Sequence, residues 1–183
     1  MRRAPIITAF CLLVAMITGC KNIRLSVKVM KLMSSTIVLP ERISCVYERD
    51  IFPMPDSLRN KPKFIVFVDS TECSKCRISK FIRYTDMFRL STETSAFVPI
   101  LLLSTTKAGQ QEILEHLQQL ELPFPVYLDT DHMYAQKNPL VLSHPRFYAV
   151  TVDEAGKVLL PLDPVGDKKL MELFRRKIID KTF

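Results

Sequence analysis

The chain has 183 residues and a formal net charge of +7, with 48% hydrophobic residues and five cysteines. Its basic residues are scattered, without a long run or interleaved aromatic residues, so the charge does not indicate a nucleic-acid-binding protein. The sequence shows no internal repeat and no low-complexity stretch. About 164 residues follow the N-terminal apolar segment, enough for one domain with a substantial core.

The N-terminus has the pattern of a lipoprotein signal peptide. Arg2 and Arg3 precede an apolar run of 11 residues from Ile6 to Met16. This run is too short to span a bilayer comfortably but has the length of a secretory signal. It ends at Gly19-Cys20, which resembles the site where bacterial lipoproteins are lipidated. We therefore predict a signal peptide over residues 1–19 and lipidation at Cys20; the alternative is an ordinary signal with a chance cysteine.

Processing at this site changes the inventory of the mature chain. Cys11 leaves with the signal and Cys20 carries lipid, so Cys45, Cys73 and Cys76 remain as thiols. Without Arg2 and Arg3, the chain has 24 basic and 19 acidic residues, a net charge of +5. The predicted location is the cell envelope, with the protein anchored to a membrane by lipid and facing the periplasm.

Residues 20–40 are predicted to be an N-terminal tether, followed by one domain over residues 41–183. Within the first of these segments, residues 21–35 alternate basic and apolar side chains. Three interpretations stay open for them: a tether, an amphipathic segment on the bilayer, or an extra helix packed on the domain. Residues 36–39 and 42–48 are predicted strands, with Cys45 as a small buried apolar residue of the second. Residues 52–62 contain three prolines and are predicted to form a loop.

The central feature is a strand, a short polar turn and a helix around two cysteines. Residues 64–68 are all apolar, which suits a strand covered on both faces of a sheet. A Cys-x-x-Cys motif, Cys73 to Cys76, follows the turn. The helical spacing of later apolar residues then predicts an inward face that comprises Ile78, Phe81, Ile82 and Phe88.

This position of the two cysteines favours redox chemistry. A helix N-terminus stabilises the reactive thiolate, and residues three apart on one helix face lie within disulfide reach. A zinc site is a weaker interpretation, because zinc needs four ligands and the remaining candidates are isolated. A purely structural disulfide is also a weaker interpretation than redox chemistry, because it would close a very small loop and constrain little.

The rest of the chain continues to alternate strands and helices. Residues 97–104 and 126–128 are predicted strands, with a helix over 107–120 and a short helix or turn over 131–138. Residues 146–152 and 157–162 are predicted to pair as a hairpin in which Gly156 supplies the turn. Asp167 is a predicted N-cap of the last helix. The expected fold class is an α/β sandwich with a mixed central sheet flanked by helices.

With these segments in view, the chain resembles the thioredoxin-like superfamily, in particular thiol-disulfide oxidoreductases of the TlpA and redoxin type. The resemblance covers residues 45–183 and depends on three segments: Cys73-Ser74-Lys75-Cys76, residues 122–129, and Ser143-His144-Pro145-Arg146-Phe147 with the hairpin after it. It implies a thioredoxin-like sandwich. It also implies that Pro145 is preceded by a cis peptide bond, lies against the cysteines and shapes the groove in which a substrate strand pairs.

Four positions depart from the family pattern. Glu72 replaces an aromatic residue, Ser74-Lys75 replaces Gly-Pro or Pro-Pro, Phe67 replaces a buried carboxylate, and His144 replaces a small residue. Without that carboxylate, the deeper thiol lacks one proton acceptor. Lys75 and a protonated His144 favour the Cys73 thiolate, whereas Glu72 opposes it. His144 is therefore either a tuner of Cys73 or a loop histidine hydrogen-bonded to the backbone.

These observations predict a lipid-anchored thiol-disulfide oxidoreductase of the cell envelope. Cys73 is the expected attacking thiolate and Cys76 the resolving thiol. Pro145 shapes the groove and His144 is a candidate tuner. The expected partners are envelope proteins with disulfides or dithiols, and the membrane through the anchor, without nucleic acid. No cofactor is expected, because the cysteines carry the electrons.

Three alternatives stay open. The first is a copper-handling protein that uses Cys73, Cys76 and His144 as ligands. The second is a lipoprotein that keeps the fold as a non-catalytic binding module. A peroxidase on the same fold is a variant of the redox prediction.

Overall fold

The fold is built on one mixed sheet. In the computed structural model, the structure describes residues 25–48, 50–69 and 78–181. These residues form a seven-stranded sheet in the order β2-β1-β5-β4-β3-β6-β7. Strands β3, β4 and β5 are parallel, and the other neighbouring pairs are antiparallel. The strands are β1 Ser44–Tyr47, β2 Asp50–Pro53, β3 Lys63–Val68, β4 Val98–Ser104, β5 Val126–Asp129, β6 Ala149–Val152 and β7 Val158–Leu160.

Helices cover both faces of this sheet. The described α-helices are α1 over 25–33, α2 Asp56–Arg59, α3 Thr85–Thr94, α4 Gln110–Leu120, α5 Met133–Lys137, α6 Pro139–Leu142 and α7 Lys168–Phe174. Two 3-10 turns, Ser79–Tyr84 and Pro145–Phe147, precede α3 and β6, and a π-helical turn, Arg175–Ile179, follows α7. Asp167 caps α7, accepting hydrogen bonds from the backbone N–H groups of Lys169 and Leu170. The predicted α/β sandwich and this cap are confirmed.

The central strand β3 separates two cores. All six of its residues are buried, as expected for a strand with neighbours on both sides and helices on both faces. Because side chains alternate along a strand, Phe64, Val66 and Val68 enter one core, while Ile65 and Phe67 enter the other.

The first core lies under the 3-10 turn, α3 and α7. Phe81, Tyr84 and Met87 are buried there, and the ring of Phe64 meets that of Phe174 edge to face at 6.1 Å. The prediction that Ile82 faces inward is wrong, because its exposed fraction is 55%. The segment begins as a 3-10 turn with three residues per turn, so Phe81 and Tyr84 share the inward side and Ile82 points outward.

The second core includes the N-terminal segment. Leu32 of α1 is completely buried, and Leu25, Val29 and Met33 pack against the same core. For residues 25–33, the structure therefore selects the extra helix packed on the domain from the three interpretations. Residues 25–40, which fall within the segment predicted as a tether, belong to the packed fold.

Several segments differ from the sequence predictions. Residues 36–39 form only one bridge, Thr36 with Lys157, because the side chain of Asn138 binds both backbone groups of Val38. The predicted loop over 52–62 contains α2 and the end of β2. The strand predicted from residue 146 begins at Ala149, because a 3-10 turn occupies the preceding residues. None of the described helices is long and apolar enough to cross a membrane.

Candidate functional site

The cysteine motif follows the carboxyl end of β3 in the chain. Cys73 and Cys76 lie outside the described residues, as does Cys20. The described chain stops at Asp69, four residues before Cys73, and resumes at Ile78, two residues after Cys76. Ile78 is completely buried and directly precedes the 3-10 turn. The motif is thus flanked by the predicted buried strand on one side and by helical structure on the other.

The loop with His144 and Pro145 lies beside the same end of the sheet. Strand β6 pairs with β3 as far as Ala149 opposite Val66, and the backbone N–H of Phe67 donates to the carbonyl of Tyr148 at 2.7 Å. The 3-10 turn that begins at Pro145 directly precedes this contact. The structure therefore brings Pro145 and His144 close to the carboxyl end of β3, after which the cysteine motif follows in the chain.

The peptide bond between His144 and Pro145 is trans, so the implied cis bond is wrong for this structure. His144 is extended, with φ −162° and ψ 136°, and Pro145 is the first residue of the 3-10 turn. The fixed φ of proline suits that position, and the N–H that proline lacks would have no partner there. The N–H of Tyr148 donates to the carbonyl of Pro145 and closes the turn.

His144 is half-buried and hydrogen-bonded to its own loop. Its Nδ1 accepts the backbone N–H of Arg146 at 3.2 Å, and its ring centre is 5.6 Å from that of Phe147. Because Nδ1 accepts, the neutral ring carries its proton on Nε2. The geometry matches the backbone-bonded loop histidine, and it leaves Nε2 for any further contact.

A groove runs from Pro145 past the neighbouring ends of β3 and β6 to the start of α7. Its volume is about 650 Å³, and its lining includes Pro145, Tyr148, Tyr84 and Leu162. The hydroxyl of Tyr84 donates to Asp163 at 2.9 Å, and the guanidinium of Arg83 is 3.3 Å from the same carboxylate. Burial and the charge of Asp163 raise the pKa of Tyr84 above its usual range. The wall of the groove is therefore a neutral tyrosine braced by an ion pair.

The sequence carries no local signal of this brace, and the apolar residue Phe67 lies on the opposite face of the sheet from Tyr84. Tyr84 and Asp163 are 79 residues apart, so no local pattern connects them. Phe67, at the position of the family's buried carboxylate, is 1% exposed and packs its ring against those of Tyr134 and Tyr148, at 5.0 and 6.0 Å. An aromatic cluster thus lies at the position where the resemblance would place a carboxylate, as the apolar Phe67 in the sequence predicts.

Cys45 is a core residue, as predicted. It is free, 2% exposed, and opposite Tyr127 in the pairing of β1 with β5. Burial raises the pKa of the Cys45 thiol to about 11, partly offset by a hydrogen bond with Tyr127. The neutral thiol is therefore the native form at every pH below that value.

We expect Cys45 to resist iodoacetamide in the native protein at pH 8 and to react fully in denaturant. The pKa of the Cys45 thiol is 9.0 in the unfolded state and about 11 in the native state. Above pH 9 the unfolded state therefore loses its proton first, so the contribution of Cys45 to the free energy of unfolding falls as the pH rises and is lost through pH 11. Mass spectrometry of alkylated peptides measures the reaction. Modification of Cys45 in the native state as fast as in denaturant would contradict the buried position.

The described residues contain no ready metal site. Over 25–48, 50–69 and 78–181, no three His, Cys, Asp or Glu side chains are grouped to hold a metal ion. His132 instead lies with its Nδ1 2.6 Å from the hydroxyl oxygen of Ser104. The copper hypothesis depends on Cys73 and Cys76, which lie outside these ranges, and stays a hypothesis.

Comparison with known proteins identifies the fold. No family model and no curated protein matches the chain. Among solved structures, it is similar to an uncharacterized thioredoxin-like protein from Porphyromonas gingivalis, with a TM-score of 0.50 and 15% identity over 81% of this chain and 96% of that one. It is also similar to a proposed protein disulfide isomerase from Bacteroides thetaiotaomicron, with a TM-score of 0.51 and 17% identity over 79% and 92% of the two chains. At these identities the likeness is one of fold.

Proposed function

Because this chain has a thioredoxin-like fold, we propose that it is a thiol-disulfide oxidoreductase that uses Cys73 and Cys76. One observation carries the proposal. In the sequence, the Cys-x-x-Cys motif falls between the carboxyl end of β3 and the buried Ile78, and the Pro145 loop and the groove lie beside that end of β3. A strand, the two cysteines and a helical segment then follow one another in the chain, which is the order typical of a redox-active Cys-x-x-Cys site.

The proposed exchange needs only the two thiols and a substrate disulfide. The Cys73 thiolate attacks one substrate sulfur and forms a mixed disulfide, and the other substrate sulfur leaves as a thiolate. The Cys76 thiolate then attacks Cys73, which releases the second substrate thiol. The substrate is reduced by two electrons, and the dithiol becomes a disulfide; the reverse sequence oxidises a substrate dithiol.

The proposed setting is the cell envelope. Gly19-Cys20 after the apolar run supports a lipid anchor, and the partners are then envelope proteins with disulfides or dithiols. Fractionation of cells that express Cys20→Ala tests the anchor. Partition of that variant with membranes after a high-salt wash, as in wild type, would refute the anchor.

Equilibration with glutathione buffers tests the redox function. We expect a reversible loss of two thiols in wild type, with a midpoint between about −270 mV, as for a reductant, and −120 mV, as for an oxidant. The control is the double variant Cys73→Ser, Cys76→Ser, which keeps Cys45. A wild type that stays fully reduced across the series, or that matches the control, would overturn the proposal and favour a binding or copper role.

His144 is proposed to tune Cys73 through Nε2. Its half-buried position next to Pro145 supports this role. His144→Ala should then slow alkylation of Cys73 at slightly acidic pH, because a hydrogen bond donated by Nε2–H to the sulfur would favour the thiolate. An unchanged pH profile would leave His144 as a loop residue only.

A further inference from the structure

Most of the net positive charge of the predicted mature chain lies near its N-terminus, although basic residues occur along the whole chain. No Asp or Glu occurs in residues 1–40, and residues 21–40 contain Lys21, Arg24, Lys28 and Lys31. Residues 41–183 contain 20 basic and 19 acidic residues, a net charge of only +1. Four of the five excess charges of the mature chain therefore lie within eleven residues of Cys20.

Helix α1 has one face in the protein and an apolar, basic face in solvent. Leu25, Val29 and Leu32 pack against the second core. At helical spacing, Val27, Met30 and Lys31 fall on the opposite side. Val27 is 40% exposed and Met30 64% exposed, and Lys31 is also exposed. A helix that already buries one face would normally turn polar residues to water.

The segment after α1 fastens the helix to the fold. The N–H of Ile37 donates to the carbonyl of Gly156 at 2.8 Å. The buried amide of Asn138 donates to the carbonyl of Val38 at 2.9 Å and accepts its N–H at 2.8 Å. On the flank of α1, the ammonium of Lys28 donates to the carbonyl of Ser143. The orientation of α1 therefore fixes the orientation of the whole domain.

We propose that the outward face of α1, formed by Val27, Met30 and Lys31, is a docking surface for an anionic bilayer. Apolar side chains interleaved with lysine suit the boundary between acyl chains and acidic headgroups. Cys20 precedes residue 25 by five residues, which span at most about 18 Å. A lipid at Cys20 would thus hold this face within reach of the headgroups, and residues 21–40 contribute no acidic side chain that would be repelled by them.

This surface also orients the candidate site, a consequence that rests on the proposed function. Ser143, which binds Lys28, directly precedes His144 and Pro145. The Pro145 loop is therefore held on the flank of the docked helix, close to the plane of the membrane. The substrates that this arrangement favours are disulfides near the bilayer surface.

Oxidation of Met30 tests the docking surface without a mutation. The lipidated protein is placed on vesicles of phosphatidylcholine alone or with phosphatidylglycerol, and methionine oxidation by dilute peroxide is followed by mass spectrometry. We expect Met30 to oxidise at least about fivefold more slowly on the anionic vesicles, because its side chain enters the interface. Met171, on α7 across the sheet, is the internal control and should oxidise equally on both.

A pair of charge reversals separates docking from general charge. Lys31→Glu should remove most of the protection of Met30, whereas Lys168→Glu, on α7, should keep it. Equal oxidation of Met30 on both vesicles, or equal effects of the two reversals, would overturn the proposal. Failure of the wild type to float with neutral vesicles would refute the lipid anchor instead. The oxidation rate of Met30 on anionic vesicles would still decide whether the outward face of α1 docks on the bilayer. The glutathione titration judges the redox function separately.

Discussion

Cells that express Cys76→Ser are expected to accumulate covalent complexes with partner proteins, whereas Cys73→Ser traps few or none. In the proposed roles, Cys73 attacks first, and the mixed disulfide persists when the resolving thiol is missing. Cys76 is the cysteine nearer in sequence to the completely buried Ile78, which supports its assignment as the resolving thiol. The complexes should appear as high-mass bands that disappear on reduction, and both variants should lose turnover.

The remaining cysteine provides the control for this experiment. Cys45 stays in both variants, so a band that involved Cys45 would appear equally in each. The double variant Cys73→Ser, Cys76→Ser sets the background. Complexes only in Cys73→Ser would reverse the two roles, and their absence in both single variants would count against exchange with protein partners.

Gly156→Ala is expected to lower the free energy of unfolding by roughly 3 kcal/mol. Gly156 has φ +85°, in the left-handed region, and a Cβ there would overlap the carbonyl oxygen of Ile37. The substitution thus strains the hairpin turn and displaces the segment that holds α1. Thermal unfolding should show a midpoint lower by about 6–12 °C, since 1 kcal/mol shifts it by about 2–4 °C at this size.

Two other glycines separate these contributions. Gly166 has φ +91°, and only the tip of the Arg83 side chain lies near the place that a Cβ would occupy, so Gly166→Ala measures the dihedral strain alone. Gly109 has φ −83° and mainly side-chain hydroxyls close by, so Gly109→Ala should change stability little. Equal losses from Gly156→Ala and Gly166→Ala would mean that residues 35–37 do not press against the hairpin as described.

Much of the fold followed from local patterns because local physics decides it. The apolar run 64–68 became β3, since such a run is stable only when both faces are covered. The hairpin at Gly156 and the cap at Asp167 were predictable because a positive φ and unpaired helix N–H groups demand particular residues. The candidate site was predictable to the same extent, as a motif between a strand and a helix next to a proline loop.

By itself, then, the sequence determined the order of strands and helices, the turn and cap residues, the core position of Cys45 and the position of the cysteine motif in that order. Only the tertiary structure decided the outward side of Ile82, the trans bond before Pro145, the brace of Tyr84 by Asp163, and the packing of α1. The last two of these features depend on partners far away in the chain: Tyr84 binds Asp163 across 79 residues, and Lys28 of α1 binds Ser143 across 115. The energy of such contacts arises only when the fold brings the two partners together, so neither partner's neighbouring residues carry a signal of it.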